Sequence, residues 1–200
     1  MDALSTTQVA AMSTSQLTAL TTQQIADLEN NQLTSLSTQQ LNPLLGTQVA
    51  AFTTTQLAAL TTNNAAGLST TALQSLSSVQ MAKLTSQVVS ALSTTQIQAL
   101  GVDQLAGLTT SQINNLTTDA VASLSADQIA LLNTSQIQAL STAGVKALSD
   151  QAAHQLSADQ IAAMTTNQVK QLEAVDLAAF SDAQVGALTT AQIEKLSTSQ

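Results

Sequence analysis

The 200-residue chain sets twelve acids against four lysines and no arginine, a net charge of −8, which excludes the basic surface a nucleic-acid binder needs. No cysteine and a single histidine, His154, exclude disulfide scaffolds, thiol catalysis, zinc fingers and His-rich metal sites. Charged residues are only 8% and aromatics 1%, yet the apolar share is an ordinary 44%, so the chain can build a core but has little surface chemistry.

From Leu4 onward the chain repeats every eight residues, without insertion or deletion, to Leu196. All 25 residues at position one are Leu, Met or Phe, and all 24 at position six, from Val9 to Ile193, are aliphatic. Position two is Ser or Thr in 20 units, position five is Gln in 18, and positions seven and eight favour Ala. Ser or Thr followed three residues later by Gln is a capping box: the hydroxyl accepts from the N3 amide, and the Gln reaches back to the N-cap amide. Positions one and six then fall at N′ and N4, where an apolar pair forms a hydrophobic staple. Each octapeptide therefore reads as the start of a new helix of one or two turns.

The charges give an independent reason for that reading. Lys83, Lys146, Lys170 and Lys195 all occupy positions seven or eight, while nine of the twelve acids occupy positions two to five. That is the partition a short helix dipole favours. One continuous helix fails, because eight residues at about 100° each leave the Leu stripe drifting by about 80° per repeat. A β-solenoid is the alternative, since Thr, Val and Ile suit strands. Positions one and six, an odd number apart, would then need a corner between them.

Along the chain, Pro43 with Leu44-Leu45-Gly46 breaks the cap, and Leu84 to Val89 moves the Gln forward by one. Gly101 replaces a cap, and Gly144 replaces a Gln. These read as drift in a tolerant repeat. Asp103, Asp119, Asp127 and Asp159 share position four and read as helix N-terminal charge rather than a cation site, with no calcium-loop motif around them. His154, in Ala-Ala-His-Gln, reads as a solvent-facing or cap-adjacent residue. Thr fills position three in 15 units, interrupted by Asn30, Gly46, Val102, Asp150 and Asp182 among others. No phosphate loop, His-Glu-x-x-His motif or nucleophile elbow occurs, and no apolar run is long enough to span a membrane. No catalytic, cofactor or metal residue is expected.

The motifs Leu92-Ser-Thr-Thr-Gln-Ile97 and Leu108-Thr-Thr-Ser-Gln-Ile113 carry a resemblance. The chain resembles the Leu-Thr-x-x-Gln-Ile/Val-x-Ala tandem arrays of large bacterial surface and secreted proteins, including adhesin-like and haemolysin-like exoproteins. The resemblance implies an extracellular or cell-surface stalk, fibre or biofilm-matrix role and export by a dedicated secretion system. The calcium-binding nonapeptides that often accompany such exoproteins are absent from this sequence.

The expectation is an all-α solenoid of very short capped helices, with Leu and Ile in a thin core and Thr, Ser and Gln facing solvent. Residues 1–200 read as one continuous array, a segment of a longer array or a filament subunit. Met1-Asp2-Ala3 fills positions six to eight of a truncated unit, and no polar capping repeat is visible. The function expected is structural and non-enzymatic, with the chain itself as partner through head-to-tail or lateral assembly, alongside cell-surface or matrix components. A solenoid face binding glycan, peptide or ice is the alternative.

Overall fold

The structure is a computed structural model that describes residues 4–200, so Met1-Asp2-Ala3 lies outside the described residues. Every regular element described is an α-helix of four to six residues, and none is a strand. The capped-helix reading therefore holds, and the β-solenoid alternative does not. In chain order the first helices are α1 (Thr6–Ala10), α2 (Thr14–Thr18), α3 (Thr22–Ala26), α4 (Asn30–Thr34), α5 (Thr38–Leu41), α6 (Gly46–Ala50), α7 (Thr54–Ala59) and α8 (Thr62–Gly67). Next come α9 (Thr70–Gln74), α10 (Ser78–Met81), α11 (Ser86–Ser90), α12 (Thr94–Gln98), α13 (Val102–Gly107), α14 (Thr110–Asn114), α15 (Thr118–Ser123) and α16 (Ala126–Leu131). The last are α17 (Thr134–Ala139), α18 (Thr142–Lys146), α19 (Asp150–His154), α20 (Ala158–Ala163), α21 (Thr166–Val169), α22 (Ala174–Ala178), α23 (Asp182–Gly186) and α24 (Thr190–Ile193).

The unit around Ser157 shows how eight residues start and stop a helix. Ser157 is extended (φ −70°, ψ 161°), and its Oγ accepts from the Gln160 N–H at 3.1 Å. Gln160 Oε1 accepts from the Ser157 N–H at 2.7 Å, which completes the box. The Ile161 N–H donates to the Ser157 carbonyl at 2.9 Å. One turn later the Met164 N–H donates to the Ile161 carbonyl at 3.1 Å, and Met164 is itself extended (φ −59°, ψ 142°). The chain then meets the next Ser/Thr already in cap geometry. No described residue has positive φ, so the corner needs no glycine, unlike the usual left-handed helix stop.

The irregular units keep the helix by retaining half of the box. At Leu45 and Gly101 there is no hydroxyl, but Gln48 and Gln104 still accept from the cap N–H, at 3.0 and 3.1 Å. In the unit whose Gln is displaced to Gln87, Thr85 Oγ1 still accepts from the Val88 N–H at 3.2 Å. Losing a single cap group is thus tolerable. Ser157→Ala is expected to lower stability by about 1 kcal/mol with the helix retained, measured as a shifted midpoint in urea unfolding.

The chain divides into two compact units, one ending at Leu108 and the other running Thr109–Gln200. Within each, helices pack on the helix three further along, so three octapeptides make one turn of the coil. In the first unit α2, α5, α8 and α11 form one stack, and α3, α6, α9 and α12 another. In the second, the stacks are α14–α17–α20–α23, α15–α18–α21–α24 and α16–α19–α22. Positions one and six fill the axis between these stacks, with Leu17, Ile25, Leu57 and Ile161 fully buried. Such side chains contribute on the order of 2 kcal/mol each, which no isolated five-residue helix can collect. At Gly67 and Gly107 position eight rests directly on position three of the turn below. A Cβ on Gly67 would lie 2.8 Å from Thr38 Cα, and one on Gly107 would lie 2.6 Å from Ser78 Cα.

Candidate functional site: the glutamine ladder

The glutamine at position five does more than close its own cap. Gln48 Oε1 holds the Leu45 N–H, while its Nε2 donates to the carbonyls of Leu17 at 3.0 Å, Thr18 at 3.3 Å and Leu20 at 2.8 Å. Gln168 repeats this on Ile137, Gln138 and Leu140 at 2.8, 3.2 and 2.8 Å. Each amide therefore sits over the corner between two consecutive helices of the preceding turn, 28 to 31 residues back. The last carbonyls of a helix have no partner within it, and the glutamine from the next turn satisfies them.

This corrects the expectation that glutamine faces solvent. Gln48, Gln56 and Gln136 are 2% exposed, and Gln112 and Gln168 are 1% exposed. The capping box alone does not reveal the second bond, because glutamate closes a box equally well. The available signal was the absence of glutamate from position five in all 25 units, at a helix end where the dipole favours an acid. An amide accepts from the cap and donates to the turn below at once, which an ionised carboxylate does not.

The first three rungs of the first unit make only the cap bond. Gln8, Gln16 and Gln24 use their Oε1 atoms on the N–H groups of Ser5, Ser13 and Thr21, at 2.8, 2.8 and 2.9 Å. All three are exposed, and among the described residues no carbonyl lies beneath their Nε2 atoms. In the second unit, the same register places further acceptor seats at the carbonyls of Leu177 and Phe180, Val185 and Leu188, and Ile193 and Leu196. Val185 and Ile193, whose counterparts in lower turns are buried, are 49% and 53% exposed there.

The other residues singled out in the sequence do not converge. Asp103, Asp119, Asp127 and Asp159 are exposed on α13, α15, α16 and α20, and no two of those in the second unit share a stack. His154 ends α19 half-buried, with Nε2 unbonded and no serine or carboxylate paired to it. Among the described residues no three His, Asp or Glu side chains gather to hold a metal, and no helix is long and apolar enough to cross a membrane. The threonine ladder sorts by stack. Thr118, Thr142, Thr166 and Thr190 follow one another on α15, α18, α21 and α24 without interruption. In the second unit Asp150 and Asp182 fall on the other two stacks.

The profile of the ALTTAQ repeat matches residues 1–30, 25–62, 89–118, 132–166 and 167–200, well over half of the chain. The chain belongs to the ALTTAQ repeat family. No curated protein shows significant similarity to it. The stretches outside the ALTTAQ matches, 63–88 and 119–131, hold four of the seven units that lack glutamine at position five: Asn64, Ala72, Val88 and Ala120. The short helices continue through both stretches, so the fold outlasts the motif.

Proposed function

We propose that this ALTTAQ array is a structural, non-enzymatic protein that builds an extracellular fibre, stalk or filament by continued stacking of its octapeptides. The observation that carries the reading is the repeated bond between turns: in both compact units a glutamine amide at position five donates to carbonyls 28 to 31 residues back, so each added octapeptide meets the same seat. Such a contact is heterologous and does not close on itself, so it propagates into a rod. The resemblance to arrays of large bacterial surface proteins supports the extracellular placement, and an adhesin-like or biofilm setting belongs to the same proposal.

Light scattering with negative-stain imaging over a concentration series tests this. Rods of one width that lengthen with concentration are expected. Replacing Gln8, Gln16 and Gln24 together by Glu keeps each cap acceptor but sets oxygen against oxygen wherever another turn stacks beneath them. At least a tenfold loss of association, with unchanged helical circular dichroism, is expected of that variant. Monomers at every concentration of the unaltered chain would refute the proposal.

A further inference from the structure

One rung of the ladder has the wrong chemistry for its seat. Unit 22 carries Asp176 at position five, on α22, and the residue is only 6% exposed. Its Oδ2 accepts from the Glu173 N–H at 2.9 Å, as glutamine Oε1 does elsewhere. Its Oδ1 is buried without a hydrogen-bond partner. Asn64 shows where that second atom goes when the side chain is one carbon shorter than glutamine. Its Oδ1 holds the Thr61 N–H at 3.0 Å, and its Nδ2 donates to the carbonyls of Thr34 at 3.4 Å and Leu36 at 3.1 Å, 30 and 28 residues back. The same register sets Asp176 Oδ1 against the carbonyls of Lys146 and Leu148, at the corner between α18 and α19. The neighbouring rung confirms the seat, since Gln184 Nε2 donates to His154 and Leu156 at 2.9 Å each.

By this register an oxygen of Asp176 meets two carbonyl oxygens where rungs such as Asn64 and Gln184 place a donor. An unpaired buried carboxylate is strongly unfavourable, and it becomes more so with two carbonyl dipoles turned toward it. The other rungs without an amide, such as Ala72, Ala120 and Ala152, bring no charge to their carbonyls. The exposed charges of the same helices are Asp150 at the start of α19, Glu173 at the cap of α22 and Lys146 at the end of α18. The donor set is one carboxylate oxygen and main-chain carbonyls, with no nitrogen or sulfur, and Leu148 is half-buried. Such a set selects a hard cation, and calcium tolerates mixed carboxylate, carbonyl and water coordination better than magnesium does.

We propose that Asp176 Oδ1 and the carbonyls of Lys146 and Leu148 form a calcium site, in which the cation takes the place of the missing amide and ties α22 to the corner below. The site is independent of fibre formation. Thermal unfolding of the full chain, followed by circular dichroism at low protein concentration in millimolar calcium or in EDTA, tests it. The unaltered chain is expected to melt about 3 °C higher in calcium than in EDTA. Asp176→Asn restores an amide like that of Asn64. It is expected to melt above the unaltered chain in EDTA and to show no response to calcium. An unaltered chain that melts alike in both buffers overturns the proposal. So does an Asp176→Asn variant with the full calcium response, since the exposed acids would then be the binders.

Discussion

Replacing Gln168 by Glu is expected to destabilise the chain by about 3 kcal/mol, far more than an exchange of one heavy atom suggests. The side chain is 1% exposed, so water cannot compensate. The cap bond to the Thr165 N–H, at 2.7 Å, survives because glutamate offers the same acceptor. What changes is the second atom, which now presents negative charge to the carbonyls of Ile137, Gln138 and Leu140. Gln168→Ala loses both bonds but buries no charge, and about 1–2 kcal/mol is the expected cost. Urea unfolding of the two variants side by side decides the matter. If alanine proves the more harmful, the inter-turn bond is not what fixes glutamine at position five.

Gly107→Val is expected to cost about 3 kcal/mol or more, in the range of severe overpacking. A Cβ at Gly107 meets backbone atoms of Ser78, with Cα at 2.6 Å and the carbonyl carbon at 2.8 Å, and backbone cannot swing aside as a side chain can. The collision pushes α13 off α10. Gly186 is the internal control, because a Cβ there meets nothing within 4 Å. Gly186→Ala should raise stability by about 0.5–1 kcal/mol through helix propensity alone. Differential scanning calorimetry of both variants would show a large fall for one and a small gain for the other. Equal effects would mean that close approach to Ser78 is not what requires glycine at 107.

Much of this molecule is legible before any coordinates are seen, because its information is local. The hydroxyl at Ser157 and the amide at Gln160 are three residues apart, and a capping box follows from sequence spacing alone. The sorting of lysines and acids speaks to the same eight-residue unit. What sequence spacing does not convey is how many units make a turn. That number depends on the angle at each Leu-Ser/Thr corner, and a few degrees per corner would change it. Without it, Gln48 has no visible reason to contact Leu20, and a polar side chain three residues from a cap reads as solvent-facing. The same gap hides the seat of Asp176, which in sequence is one more acid at the start of a helix. The threonine ladder likewise looks broken by Asp150 and Asp182 until three units per turn assign them to other stacks.

The offset of the ladder sets a minimum size for order. The first rung described joins Gln32 to the carbonyl of Leu4, so no bond between turns closes until about four octapeptides are in place. After that, each added octapeptide brings one more amide to a corner that already exists. The α-helix has the same economy one level down, where an amide reaches back four residues and the first bond is the hard one. This chain repeats that scheme with an octapeptide in place of the residue: a costly nucleus, then growth by identical steps, with cooperativity carried along one dimension.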